Sequence, residues 1–278
     1  MLTPFLYVKK YHQLWTPQFM PWFTDAGFYG VGAIQTPVKE YCNLKYKNAA
    51  GNTPSERLAL KDALLRFFKA RAKEDDSGIS YNKGDGYSLS ASLTVKPIYD
   101  FPRRSFMSCF SGKGSPEMLG DMIQLIAYWR YWRINKDNKS VVPVPFIVSD
   151  YLGVDCNGFV GHYLRAKYAG NSLGPSDKEY TYHARGKKTR RTRFQDIRPD
   201  DVIVFEGYHH VAIVQEVVDW GEDWAVVELC ESRSKNHGGP QWSYEEINWK
   251  KDKHGKTVVG TFHMRGEDLA SISDVRYV

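Results

Sequence analysis

The segment DCNGFVGHYL, residues 155–164, decides how the rest of the chain is interpreted. Asp155 is a favourable N-cap, so the segment predicts a helix that begins at Cys156. The apolar residues of the segment recur at spacings of three and four, which is typical of a buried helical face. A thiol at this helix start feels the positive end of the helix dipole, which favours the reactive thiolate, and the backbone N–H groups there are candidates for an oxyanion hole. The alternative is a structural role, because most free cysteines are small core residues.

The downstream sequence favours chemistry over a structural role. A polar turn at 196–201 leads into Val202–Phe205, a β-branched run that predicts a strand, and a second such run follows at 210–214. His210 therefore heads a strand, and in an α+β fold it can lie beside a helix N-terminus. A nucleophilic cysteine needs a base of this kind to hold its thiolate and to protonate the leaving amine.

Three segments together carry a family resemblance: DCNGFV at 155–160, IRPDDVIVF at 197–205 and HHVAIV at 209–214. In order and spacing they resemble the motifs of the NlpC and CHAP cysteine peptidases and amidases. The resemblance covers residues 140–265, roughly half of the chain. It implies a papain-like α+β fold in which the nucleophile helix packs on an antiparallel sheet.

The resemblance also implies roles for individual residues. Cys156 is the nucleophile, and His210 is the base because it immediately precedes the Val-Ala-Ile-Val run. His209 faces the other side of the same strand, so only one of the two histidines can serve. The family orients its histidine with a polar residue on the next strand, for which Glu228 is our first candidate and Glu231 the second. Pairing Glu228 with the base requires a β-bulge in the hairpin.

The 278-residue chain is 42% hydrophobic and 25% charged, a composition that can support a sizeable core. We predict two parts: residues 1–115, an amino-terminal extension packed on the catalytic domain, and residues 116–278, the papain-like hydrolase domain. No long Gly/Ser/Pro linker separates them, so a freely tethered module is not expected. A helix from Pro116 to about Arg133 opens the second part.

Several classes of function lack their sequence signals. The four cysteines are widely spaced, with no C-x-x-C pair, and neither a P-loop nor a G-x-G-x-x-G motif is found, so we expect no metal and no organic cofactor. The net charge of +6 owes much to basic residues at 185–193, within a predicted long loop at 170–195. This cluster has the charge to contact a phosphate group or an acidic partner, but a solvated loop over the cleft is the favoured interpretation. No specific nucleic-acid partner is expected.

The start of the chain lacks the pattern of a secretory signal, and no apolar run has the length of a membrane span. We therefore expect synthesis in the cytoplasm without a signal peptide. Secretion by a dedicated machine or release by a phage would then bring the protein to the periplasm or cell wall. The expected partners are peptidoglycan or a peptide substrate, together with an immunity protein or a component of the secretion machine.

By resemblance, the predicted function is a cysteine hydrolase that cleaves amide bonds of bacterial peptidoglycan, as an endopeptidase or amidase. An interbacterial toxin effector or a phage lysin fits this activity. Two alternatives stay open. The first is a papain-like effector that acts on host proteins as a protease, deamidase or acyl transferase, and the second is a catalytically dead binding scaffold.

Overall fold

The computed structural model describes residues 1–17, 33–43, 51–76, 103–135, 137, 139–205, 210–222, 224–233, 238–251, 257–261 and 268–276. The chain divides into two compact units: Met1–Tyr11 together with Val154–Val278, and His12–Gly153. The helix at Pro116, which we assigned to the catalytic domain, lies in the second of these units. The boundary predicted after residue 115 stays a prediction, as do the roles of its two parts.

The helices and strands are numbered in chain order. The helices are α1 (Pro4–His12), α2 (Pro54–Asp76), α3 (Arg103–Phe110), α4 (Pro116–Asn135), α5 (Val144–Tyr151), α6 (Cys156–Lys167) and α7 (Glu179–Arg185). The strands are β1 (Trp15–Pro17), β2 (Ala33–Gln35), β3 (Val202–Phe205), β4 (His210–Trp220), β5 (Trp224–Ser232), β6 (Pro240–Lys251), β7 (Thr257–Thr261) and β8 (Asp268–Ser273).

The unit His12–Gly153 contains the helices α2 to α5 and a two-stranded antiparallel pair of β1 and β2. Both of its longer helices begin with capping residues that can be recognised in the sequence. Thr53 and Glu56 form a capping box, in which each side chain accepts a hydrogen bond from the other residue's backbone N–H. The hydroxyl of Ser115 accepts the N–H of Met118 at the start of α4. The predicted helix from Pro116 is therefore confirmed.

The other unit is built on one antiparallel sheet. Its strands are ordered β3-β4-β5-β6-β7-β8, and β8 also pairs with β3, so the sheet closes on itself. Helices and an antiparallel sheet together confirm the α+β prediction, whereas the papain-like arrangement stays a prediction. The strand β8 was not predicted. The pairing of Val202 with Ser273 joins residues far apart in sequence, which no local pattern announces.

The core of this unit lies inside the closed sheet. Alternate residues of β3, β4 and β5 point inward, because successive side chains on a strand face opposite sides. The buried cluster consists of Phe194, Ile197, Ile203, Phe205, Ala212, Val214, Ala225, Val227, Leu229, Ile247, Ala270 and Ile272. On each strand, within a stretch free of β-bulges, a residue two, four or six positions from a member of this cluster therefore lies on the same inner face as the cluster.

The long loop predicted at 170–195 is wrong in part. The helix α7 forms there, followed by 3₁₀ turns at Gly186–Lys188 and Phe194–Asp196. The fully buried ring of Tyr182 fixes α7 in place, and its hydroxyl donates a hydrogen bond to the carbonyl of Gly174, 3.3 Å away. A single buried aromatic in a polar, basic stretch is a weak sequence signal, which explains why the helix was missed.

Candidate active site

The helix α6 begins at Cys156, as the sequence predicts. Asp155 has extended backbone angles, and its Oδ1 accepts the N–H of Gly158 at 2.6 Å, which confirms the predicted N-cap. The Cys156 side chain is buried at the helix start. It therefore lies where the helix dipole is positive and where the first backbone N–H groups have no partner within the helix.

The helix α6 is held from two sides. It packs against β4 and β5 of the closed sheet. On α1, the ring of Tyr7 lies 5.7 Å from the ring of Phe159 and 5.6 Å from that of Tyr163. Gly161 allows the segment around Gly174 to approach closely, since a Cβ there would come within 2.3 Å of the Gly174 backbone. These contacts restrict movement of the helix that carries the thiol.

A turn before β3 ties α6 to the strand that carries the histidine. Asp200 has φ of 74°, and its carboxylate accepts hydrogen bonds from the hydroxyl groups of Tyr163 and Tyr168 and from Lys167 Nζ. The N–H of Asp200 also donates to the carbonyl of Val214 on β4, at 2.8 Å. One aspartate thus fixes the distance between α6 and β4.

His210 is the first residue of β4, and two side chains act on its imidazole. Nε2 lies 2.6 Å from Glu231 Oε2, and Cys156 is close enough to the ring to raise its pKa. Since Nε2 faces the carboxylate, Nδ1 is the nitrogen left for the thiol. In the protonated ring both nitrogens donate, Nε2 to Glu231 and Nδ1 toward the sulfur of Cys156. The three side chains thus lie together in the order Cys156, His210, Glu231, with the hydrogen bond between His210 and Glu231 at one end.

The surroundings of His210 make it a strong base. Burial by itself lowers the pKa of an imidazole, but the hydrogen bonds and charges of Cys156 and Glu231 outweigh it and raise the pKa of His210 to about 10. The ring therefore holds a proton at neutral pH, and an imidazolium is the neighbour that a thiolate nucleophile requires.

The carboxylate that contacts the base is Glu231, our second candidate, and not Glu228, our first. The strand parity gives the reason. Glu231 pairs with Ala212, which shares the inner face with His210, whereas Glu228 pairs with Glu216 and points to the other face. Burial and the nearby charge of Glu216 raise the pKa of Glu228. Cys156 and His210 lie together as expected, and Glu228 does not join them.

Three further polar residues lie behind Glu231, and the sequence analysis missed all of them. Glu231 Oε1 accepts hydrogen bonds from Arg233 Nη2 and from Ser243 Oγ, the latter at 3.3 Å. Arg233 Nη2 also lies 3.4 Å from Glu245 Oε1. Ser243 and Glu245 are alternate residues of β6, and the next alternate position, Ile247, belongs to the buried core. The available signal was on and just after β5, where Glu231 and Arg233 continue the alternation of the inward-facing Ala225, Val227 and Leu229.

The other sequence candidates take structural positions. All four cysteines are free thiols, and burial raises the pKa of Cys230 and Cys109 far above the usual range, which makes these two inert. In the basic cluster, Arg191 forms a bidentate pair with Asp201, and Arg193 pairs with Asp196. His209 lies outside the described residues.

The described part of the chain shows neither a metal-binding cluster nor a membrane-spanning helix. No group of three or more His, Cys, Asp or Glu side chains there is arranged to hold a metal ion. No helix in the same residues is both long and apolar enough to cross a membrane.

Comparison with known proteins gave no match: neither a family model, nor a curated protein, nor a solved structure resembles the chain. Inference about its chemistry therefore rests on the geometry of Cys156, His210 and Glu231 and on the motifs that surround them.

Proposed function

We propose that the chain is a papain-like cysteine hydrolase that cleaves amide bonds of bacterial peptidoglycan, as an endopeptidase or amidase. One observation carries the proposal: within one compact unit, Cys156 at a helix N-terminus lies beside His210, and His210 is hydrogen-bonded to the buried carboxylate of Glu231. A nucleophile, a base and a group that orients the base are the parts that acyl transfer requires. The substrate class is supported by the resemblance of 155–160, 197–205 and 209–214 to the NlpC and CHAP motifs.

The proposed reaction proceeds through a thioester. The Cys156 thiolate attacks the carbonyl carbon of the amide, and the carbonyl π electrons move to the oxygen. His210, as imidazolium, gives its proton to the amide nitrogen, the C–N bond breaks and the amine leaves. A water molecule then attacks the thioester while His210 accepts one of its protons. Collapse of this second intermediate releases the carboxylic acid and restores the thiolate.

The start of α6 supplies the group that binds the oxyanion. The developing negative charge on the carbonyl oxygen is stabilised by the backbone N–H groups beside Cys156 and by the helix dipole. The N–H of Gly158 is committed to Asp155, so the donor on this helix must come from an earlier position. The backbone N–H of Cys156 itself is the donor that we propose.

The decisive experiment is digestion of purified sacculi by the full chain, with the soluble products identified by mass. We expect fragments from the parent protein and none from Cys156→Ala or His210→Ala. The mass of the fragments identifies the bond, because cleavage inside the stem peptide and cleavage between sugar and peptide leave different termini. A parent protein that releases nothing from sacculi of several wall types would refute the peptidoglycan proposal.

A second measurement separates a wrong substrate from a dead site. The rate at which iodoacetamide alkylates Cys156 at pH 7 reports the thiolate without any substrate. Suppose that Cys156 alkylates quickly in the parent and more slowly in His210→Ala, while the sacculi stay undigested. The site would then be a hydrolase site, and its substrate would be an amide of a protein. A Cys156 that reacts as slowly as the buried Cys230 would leave only the binding scaffold.

A further inference from the structure

Arg233 lies one residue beyond the end of β5 and reaches back to the carboxylate that orients the base. We propose that Arg233 shares the Glu231 carboxylate with His210 and thereby tempers the basicity of His210. The inference deepens the proposed function and rests on it, since it assigns Arg233 as a positioning residue that acts through Glu231. Arg233 does not contact the reacting atoms in this scheme.

The two oxygens of Glu231 have different partners. Oε2 binds His210 at 2.6 Å, while Oε1 accepts from Arg233 Nη2 and from the Ser243 hydroxyl. The Glu231 side chain is fully buried, and only 6% of the Arg233 side chain is exposed. A carboxylate held at both oxygens cannot rotate away from the imidazole. The guanidinium therefore fixes the direction of Oε2 as well as supplying charge.

The charge of Arg233 matters because of what Glu231 would do alone. A buried carboxylate at hydrogen-bond distance stabilises an imidazolium strongly, since little solvent screens the pair. A ring that holds its proton too tightly cannot deliver it to the leaving amine, because a general acid works best with a pKa near the working pH. A cation on the opposite oxygen draws electron density from the carboxylate and lowers its pull on the ring proton.

Glu245 also interacts with the guanidinium of Arg233. Its Oε1 lies 3.4 Å from Arg233 Nη2 and 3.5 Å from the Ser243 hydroxyl. Burial raises the pKa of Glu245 to about 7, although Arg233 opposes the rise. Among the residues that the structure describes, the titratable and charged groups that act on His210 are thus Cys156 on α6, Glu231 and Arg233 on and after β5, and Glu245 on β6. A complete test has to control for proton uptake by Glu245.

The test is an NMR titration of the His210 imidazole in the full chain, which uses no substrate. All variants carry Cys156→Ala so that the thiol does not titrate with the ring, and the resonance is assigned by its loss in His210→Ala. Glu245→Gln removes an anion that acts on Arg233 and on His210 itself, so we expect the midpoint of His210 to fall. Adding Arg233→Gln to Glu245→Gln removes the cation from a protein that no longer has the Glu245 carboxyl, so proton uptake at position 245 cannot offset the lost charge. We expect the midpoint of His210 to rise by about one pH unit.

Two further variants separate charge from folding. Arg233→Lys, also with Glu245→Gln, keeps the cation and should leave the midpoint close to that of Glu245→Gln alone. Arg193→Gln removes an arginine whose side chain is 72% exposed and should change nothing. An Arg233→Gln midpoint that is unchanged or lower would overturn the proposal, as would a rise in Glu245→Gln alone. The comparison within the Glu245→Gln background decides, because loss of the Glu245 anion by itself lowers the midpoint; Arg233→Met in that background repeats the comparison if Arg233→Gln does not fold.

The outcome is independent of the sacculus assay. Inactivity on sacculi with the expected midpoints would refute the substrate and keep the role of Arg233. Active digestion with unchanged midpoints would refute the role of Arg233 and keep the hydrolase.

Discussion

His210 Nε2 lies 2.6 Å from Glu231 Oε2, although the two residues are not direct partners across the strands. Glu231 pairs with Ala212, two positions further along β4, so the contact is a diagonal one across the hairpin. Long side chains can span such diagonals on one face of an antiparallel pair. The carboxylate therefore reaches the base from inside the closed sheet, where little water competes for it.

This contact predicts that two glutamates of β5 behave differently. Glu231→Gln removes the anion that holds the imidazolium, so we expect the rates of Cys156 alkylation and of sacculus digestion to fall on the order of a hundredfold or more. Glu228→Gln changes a residue on the opposite face, beside Glu216, and should stay within about twofold. Thermal unfolding of both variants provides the control for folding. Equal losses in the two variants would contradict the assignment of Glu231.

The contact of Glu231 with His210 could not be predicted from the sequence, although the elements that carry the two residues could. The N-cap at Asp155, the start of α6 and the strands β3 to β5 follow from local patterns and are found. The register of the hairpin does not follow, because β4 has shifts between Val214 and Glu216 and again between Val217 and Asp219. Each shift moves the facing strand by one residue and changes which carboxylate lies near the base.

Contacts between segments that are distant in sequence could not be predicted either. The pair of Arg233 with Glu245 depends on how β6 is aligned with β5, and the closure of the sheet depends on β8 meeting β3. A charged residue in a strand pattern is normally assigned to the solvent face, which is the commoner case. Only the fold shows that these charges face inward and neutralise each other.

The raised pKa of His210 predicts how stability depends on pH. The ring has a pKa of about 10 in the folded protein and of 6.5 when unperturbed, so the folded state binds the proton more tightly. The stabilisation is complete below about pH 6.5 and is lost as the pH rises toward about 10. We expect the difference in unfolding free energy between the parent and His210→Ala to decline steadily over this interval in urea titrations. A difference that grows with pH would show that His210 is neutral in the folded protein.

Asp200 is expected to be the residue that anchors the nucleophile helix. Asp200→Ala leaves the hydroxyl groups of Tyr163 and Tyr168 and the Lys167 ammonium without their carboxylate, and we expect a loss of about 3 kcal/mol in unfolding free energy. Asp200→Gly should lose about 1 kcal/mol less than Asp200→Ala, because glycine accepts the φ of 74° without steric cost. Chemical denaturation of the three proteins measures both differences. An Asp200→Ala protein as stable as the parent would show that the carboxylate anchors nothing.

Gly161 and Gly120 provide a pair of helix positions with opposite expected effects. Alanine is the better helix former, so Gly→Ala in a helix stabilises by about 0.5–1 kcal/mol where the space is open. At Gly120 in α4 the new Cβ would meet Leu14 at 3.5 Å, an ordinary contact and the one found among the described residues, and we expect this gain. At Gly161 in α6 the Cβ would lie 2.3 Å from the backbone of Gly174, which cannot yield without moving the segment.

We therefore expect Gly161→Ala to lower the unfolding free energy by about 2 kcal/mol, the usual cost of overpacking. Displacing α6 also moves Cys156 away from His210, so the alkylation rate should fall in Gly161→Ala and stay unchanged in Gly120→Ala. Urea denaturation and iodoacetamide kinetics on the same two preparations measure both effects. Equal stability of the two variants would mean that the segment around Gly174 does not press on α6, and a normal alkylation rate in Gly161→Ala would mean that the close approach does not position the thiol.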